Sequence, residues 1–346
     1  MTKVIQIEDD FSVLDEAAKS LSQGGLVAFP TETVYGLGAN ALDPEAVANI
    51  FVAKGRPQDN PLIVHISDQS MLSQVVSHVP PAAEKLMEAF WPGPLTIILE
   101  KSETIPVSVT AGLSTVGVRM PSHPVALALI EKSGVPVAAP SANLSGSPST
   151  TRASHVIHDL TGRVDYIIDG GACEVGLEST VLDMTGKIPQ ILRPGGVSLE
   201  ALQAVLGQVM YEPALKDSRE VPKSPGMKYR HYAPRGELYL VEKNHEDKLR
   251  QMLSDYRAQG KKTGVLCCGA KQYEADVLLN CGKTAKAYAN ALFDALRHMD
   301  DMGAEVIFAE LPCDEGGIVP ALMNRMLKAS GGYVLAEDVT IKVERL

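Results

Sequence analysis

At 346 residues the chain exceeds one typical domain, and its 45% hydrophobic and 21% charged residues are ordinary for a globular protein. The formal net charge of −10 is uneven, since residues 1–207 hold 12 Lys and Arg against 22 Asp and Glu while residues 208–346 hold 20 of each. So acidic a first part repels a phosphate backbone and leaves room only for a local anion pocket, and no apolar run approaches the roughly 18 residues of a spanning helix, so no membrane partner is expected.

Met1–Gln6 lacks the apolar core of a secretion signal, which predicts a cytoplasmic protein. Leu14, Ala17, Ala18 and Leu21 keep helical spacing up to the stop at Gly24-Gly25, and 26–30 reads as a buried strand. Asp43-Pro44 is a helix start with a cap before a proline, and that helix is predicted to end near Lys54, before Gly55 and Pro57. Apolar runs at 62–66, 95–99, 116–120, 135–139, 166–169 and 180–183 read as strands, with helical patterns near 82–90, 124–132 and 152–160. The mixture predicts an α/β domain over residues 1–207 with a mixed sheet. A helix at 197–206 precedes residues 208–236, whose prolines and glycines read as a linker. From residue 237 to 346, strands at 238–241, 264–268 and 306–311 alternate with helical patterns, including 284–302 and 321–328. That βαβαβα order predicts a smaller, Rossmann-like, doubly wound α/β domain.

Two segments place polar or cationic side chains directly beside strand-like runs: Lys54-Gly55-Arg56-Pro57 with Asn60–His65, and Pro140-Ser141-Ala142-Asn143-Leu144-Ser145-Gly146. On spacing alone, Lys54 and Arg56 offset a helix dipole, worth about 0.3–1 kcal/mol. Only five arginines occur in residues 1–207, however, and Arg119, Arg152 and Arg193 also flank predicted strands or turns. Convergence on one end of the sheet makes an anion site the better account. Ser141-Ala142-Asn143 fits either an ordinary turn or a loop whose backbone N–H groups cradle phosphate. Thr31-Glu32-Thr33 is similar, a turn by default and a set of ligand donors if it faces the site. His65, inside an apolar strand, reads from its burial tendency as a satisfied core residue.

Gly36-Leu37-Gly38-Ala39-Asn40-Ala41 fits G-x-G-x-x-A, yet five residues separate it from the strand ending at Pro30. The dinucleotide fingerprint needs its first glycine immediately after the strand, so that reading fails. No Walker A segment is present. The five cysteines (Cys173, Cys267, Cys268, Cys281, Cys313) form no Cys-x-x-Cys pair and no Cys/His metal spacing.

Seven segments together resemble the YrdC-like family of L-threonylcarbamoyladenylate synthases: FPTETVYGLGANA at 29–41, KGRPQDNPLIVH at 54–65, WPGPLTIIL at 91–99, VGVRMPSHP at 116–124, PSANLSGSPSTT at 140–151, LESTVLD at 177–183 and ILRPG at 191–195. SPGMKYRHYAP at 224–234 resembles the long, two-domain form. The resemblance implies a YrdC-like twisted mixed sheet with helices. It also implies condensation of L-threonine, bicarbonate and ATP into threonylcarbamoyl-AMP and pyrophosphate. Downstream tRNA-modifying proteins would take the product to an adenosine beside the anticodon. By the same resemblance, Lys54, Arg56, Asn60, Thr115, Ser141, Asn143, Ser149 and Arg193 surround ATP, with Lys54 and Arg56 on phosphate oxygens and carrying the chemistry. Thr33, His65, Arg119 and Ser179 hold L-threonine, with Arg119 on its carboxylate. Mg2+ is expected to arrive with ATP. The linker holds Lys223, Lys228, Arg230 and Arg235 without an acid between Pro222 and Gly236. It reads either as a solvated tether or as a lid that brings Tyr232 onto the nucleotide. Two other readings stay open: a double-stranded RNA or tRNA-binding module, and a relative that forms carbamoyl-adenylate.

Overall fold

The computed structural model describes residues 1–8, 10–212, 222, 231–243, 245–312, 314–335 and 340–342. Two compact units emerge: Met1–Ser145 with Ser149–Lys228, and Gly146–Pro148 with Tyr229–Leu346.

The first unit is built on β1 (Lys3–Gln6), β2 (Val27–Phe29), β3 (Gly36–Asn40), β4 (Ile63–His65), β5 (Leu95–Glu100) and β6 (Thr115–Arg119). Strands β7 (Val137–Ala138), β8 (Tyr166–Asp169), β9 (Thr180–Asp183), β10 (Gln190–Arg193) and β11 (Met210–Tyr211) complete it. Their order in the sheet is β1-β8-β2-β3-β7-β4-β6-β5-β9-β10-β11. Parallel pairs such as β4/β6 and β5/β9 alternate with antiparallel ones such as β5/β6 and β9/β10, so the sheet is mixed as expected. Differences from the sequence reading are local. The strand expected at 135–139 is cut to two residues, Pro136 having no N–H for a ladder. The edge strands β1 and β11 are too short to announce themselves, at four and two residues, and β11 lies in the stretch expected as linker.

Alternation along the central strands sorts two faces. Val64, Val116, Val118, Ile97 and Leu182 belong to the main core under the helices. Ile63, Ile98, Val181 and Leu192 form a separate small cluster on the other face, and Thr115, Gly117 and Arg119 share that face by the period of two.

The helix Pro44–Lys54 shows how the sequence aims a residue. Asp43 caps it, accepting from Glu45 N at 2.9 Å and Ala46 N at 3.2 Å, and Pro44 sits where no N–H is needed. Gly55 closes it in the left-handed conformation at φ 61°, with Arg56 N donating to Phe51 O at 2.9 Å. Lys54 and Arg56 therefore leave the last turn in fixed directions.

The second unit holds β12 (Glu237–Val241), β13 (Thr263–Cys267), β14 (Val277–Asn280), β15 (Val306–Glu310), β16 (Tyr333–Leu335) and β17 (Thr340–Lys342), ordered β14-β13-β15-β12-β16-β17. All pairs but β16/β17 are parallel, as a doubly wound sheet requires. β14, β16 and β17 add strands that the βαβαβα reading did not contain. Tyr232 lies here at φ 65°, its ring stacked on Phe293 at 5.2 Å with the Arg325 guanidinium 5.6 Å from its centroid. Lys223, Lys228 and Arg230, three of the four cations behind the lid reading, lie outside the described residues.

Gly195 is required by close approach, because a Cβ there would stand 2.2 Å from Thr180 N and 2.3 Å from Ser179 C. Backbone cannot yield as a side chain does, so Gly195→Ala is expected to cost about 3 kcal/mol of stability. Urea denaturation of the variant checks this; an unchanged midpoint would contradict it.

Candidate active site

The residues expected around ligands gather at two ends of the sheet face opposite the main core. At the carboxyl end of β4 and β6, His65 and Arg119 are register partners. Arg119 is buried; its Nε donates to Gly93 O at 3.2 Å, its Nη1 to Thr33 Oγ1 at 3.0 Å, and its Nη2 stands 2.7 Å from Glu32 Oε1. Ser179, just before β9, shares a hydrogen bond of 2.8 Å with Thr96 Oγ1. All four residues expected on L-threonine (Thr33, His65, Arg119, Ser179) thus belong to this end.

Arg193 joins them through an irregularity in the sheet. The β9/β10 register shifts between Ile191 and Arg193, so that Arg193 pairs with Val181. Its Nε then donates to Ser179 O and its Nη2 to Ser179 Oγ, both at 3.1 Å. Ser149 is also tied here, donating to Glu178 Oε1 at 2.6 Å. Both were expected around ATP, and both lie beside the Ser179 segment. Arg152, the third arginine of the expected cluster, stays exposed before the helix Ala153–Leu160.

At the amino end of β4 and β6 lie Asn60, Thr115, Arg56, Lys54, Ser141 and Asn143. Thr115 is four residues from Arg119 on β6, about 13 Å at the rise of a strand. Arg56 is half-buried and its Nη2 reaches Asn60 O and Pro61 O, each at 3.3 Å. Asn60 is buried, and its Oδ1 has no hydrogen-bond partner among the described residues. Lys54, only 3% exposed, donates from Nζ to Ser141 O and Asn143 O. Ser141 Oγ in turn donates to Asn143 Oδ1 at 2.5 Å.

The loop after β7 uses three of its N–H groups within the protein. Ala142 N donates to Tyr35 O at 2.8 Å, Leu144 N to Asp159 Oδ2 at 3.0 Å and Ser145 N to Lys54 O at 3.0 Å. These three N–H groups hold the loop in place. Gly36 and Gly38, the false dinucleotide fingerprint, sit inside β3, where a Cβ on Gly38 would lie 2.8 Å from both Phe29 Cε1 and Val137 Cγ1.

Sequence reasoning left Glu32 as a conditional ligand donor, yet it is buried and in contact with Arg119. A signal was available: a carboxylate between two threonines, at the end of a strand otherwise wholly buried. His65 is buried, as the reading of a core residue expects. It packs edge-on to Phe29 at 6.3 Å, a core contact, yet its Nδ1 has no hydrogen-bond partner among the described residues.

Burial, and then the Arg119 charge, pushes the His65 pKa down to about 3. An unfolded histidine titrates near 6.5, so between about pH 6.5 and 3 the unfolded chain binds a proton that the folded one does not. This group therefore lowers stability as pH falls through that window, by about 1.4 kcal/mol per pH unit once well below 6.5. Denaturant titrations of the wild type and His65→Gln at pH 7 and pH 5 are expected to show a smaller acid loss in the variant; equal losses would contradict the assignment.

Comparisons with known proteins place the chain in a family. The Sua5/YciO/YrdC family model, described as "Telomere recombination", matches residues 19–195, and "Threonylcarbamoyl-AMP synthase, C-terminal domain" matches residues 197–331. A threonylcarbamoyl-AMP synthase of Pyrococcus abyssi is 51% identical over 92% of this chain and 94% of its own length. That of Bacillus subtilis is 48% identical over 96% and 98%. The crystal structure of P. abyssi Sua5 complexed with L-threonine superposes with a TM-score of 0.92 at 47% identity, covering 97% of this chain and 99% of that one. The chain belongs to the Sua5/YrdC family of threonylcarbamoyl-AMP synthases.

Proposed function

We propose that this chain forms L-threonylcarbamoyl-AMP and pyrophosphate from L-threonine, bicarbonate and ATP, and that the product feeds threonylcarbamoylation of an adenosine next to the anticodon of tRNA by other proteins. The observation that carries the reading is the two-ended sheet face, with cationic side chains at each end and an apolar floor between them. Family membership supports the same activity.

The neutral threonine amine adds to carbon dioxide with loss of a proton, or to bicarbonate with loss of water, giving a carbamate whose oxygen attacks the α-phosphorus while pyrophosphate leaves. No covalent protein nucleophile is needed, and the nearby Cys173 agrees: it is buried, and burial pushes its pKa up to about 12. Rate then comes from positioning and from neutralising phosphate charge. L-Threonine would lie against Thr33, His65, Arg119 and Ser179. ATP would lie along the Ile63, Ile98, Val181 and Leu192 floor. Asn60, Thr115, Ser141, Asn143 and the cations Lys54 and Arg56 hold it at one end, and Ser149 and Arg193 meet the reacting phosphate at the other. Tyr232 would close over the nucleotide. Among the described residues no group of three or more His, Cys, Asp or Glu is arranged to hold a metal ion. Mg2+ would arrive with ATP, whose phosphate oxygens often supply most of its contacts.

Pyrophosphate release from ATP, with threonine and bicarbonate each omitted in turn, tests the reading. Release is expected only with all three; release that ignores threonine would contradict it. Arg56→Ala is expected to raise the KM for ATP at least about tenfold, the loss of one charge-assisted contact, with little change in stability. Lys54→Ala is expected to lose both, because Ser141 O and Asn143 O are left without their donor. Steady-state kinetics beside thermal melts separates the two; a Lys54 variant as stable as the wild type would be the contrary result.

A further inference from the structure

Glu32 is a buried carboxylate at the threonine end that the family reading does not use. Its side chain is 5% exposed and stands against that of Arg119, 4% exposed, with Oε1 at 2.7 Å from Nη2. Yet neither atom makes an aligned hydrogen bond with any described group, so the two charges touch without pairing along a donor direction. The rest of Glu32 is anchored. Its main-chain oxygen accepts from Val175 N at 2.8 Å, and its Oε2 accepts from Ser122 N at 3.2 Å. Oε1 is thus held in place with its acceptor capacity unspent.

A buried ion pair of this kind is weak evidence for stability, since desolvation offsets most of the attraction. Its chemistry fits a ligand better. An α-amino acid brings a carboxylate and an ammonium on one carbon, two opposite charges a few ångströms apart. At this end the nearby cations are Arg119 and Arg193, with His65 held neutral, so an ammonium would otherwise enter a cationic surrounding. Glu178, the other buried carboxylate here, already accepts from Ser149 Oγ at 2.6 Å. We propose that Glu32 Oε1 receives the substrate's ammonium group while Arg119 receives its carboxylate, so that the Glu32–Arg119 pair reads the zwitterionic head of an α-amino acid. The ammonium supplies the aligned donor that Oε1 lacks, and the carboxylate supplies the acceptor that Arg119 Nη2 lacks. The inference rests on the threonine reading and adds the selector for the amino group.

The test is calorimetric titration of the full chain with L-threonine and with 3-hydroxybutanoate, which keeps the carboxylate and hydroxyl but has no ammonium. The wild type is expected to prefer threonine by about 30-fold or more, the scale of a charge-assisted hydrogen bond. Glu32→Gln is expected to weaken threonine by a similar factor, leave 3-hydroxybutanoate within about 3-fold, and leave ATP binding unchanged; Glu32→Asp should recover part of the loss. Equal weakening of both ligands by Glu32→Gln would overturn the inference, reducing Glu32 to a support for Arg119. Should that variant not fold, the wild type alone decides, because equal affinity for the two ligands overturns it as well. A wild type that binds 3-hydroxybutanoate but not threonine, or neither, would instead overturn the substrate reading itself.

Discussion

Along β6, Val116 and Val118 enter the main core while Thr115, Gly117 and Arg119 line the opposite face, and the ladders to β4 and β5 hold that alternation in register. A slip of one residue would bury Arg119 in the core and expose two valines, so the core that stabilises the fold also enforces the site. The same pairing sets His65 beside Arg119 and Ile63 beside Gly117, while β5 puts Ile98 opposite Gly117. Gly117 keeps the floor low; a Cβ there would come within 3.1 Å of Thr96 Cγ2. The cluster of Ile63, Ile98, Val181 and Leu192 is too small to be a second core and serves as that floor.

On this scaffold the cations are spent inside the protein before any ligand arrives. Lys54, Arg119 and Arg193 are all nearly buried, and each meets oxygen acceptors: Ser141 O and Asn143 O, Gly93 O and Thr33 Oγ1, Ser179 O and Oγ. Burying them without such partners would be prohibitive. The arrangement fixes their direction, which is what electrostatic preorganisation requires. Under the proposed function it would also let a unit with an excess of acid receive ATP, since the repulsion is a surface property whereas buried cations act at short range.

Much of this was legible in the sequence, and for physical reasons. Asp43-Pro44 and Gly55 gave both ends of the helix that carries Lys54, because caps act within a few residues. The five-residue gap before Gly36 was enough to reject a dinucleotide site, and β3 runs through those glycines. What escaped depends on contacts distant in sequence. The use of the Ala142, Leu144 and Ser145 N–H groups involves residues 35, 159 and 54. The bulge that turns Arg193 towards Ser179 has no local signature, and the Glu32–Arg119 contact joins the β2–β3 turn to the end of β6, far apart in sequence. The division of the expected ligands into two ends needed the register itself.

A crystal structure of the full chain with L-threonine and a non-hydrolysable ATP analogue measures the central claim directly. The account predicts the threonine carboxylate on Arg119 and the nucleotide along the Ile63–Ile98 floor, reaching Asn60 and Thr115. Threonine bound away from Arg119, or the nucleotide held away from this face of the sheet, would contradict it.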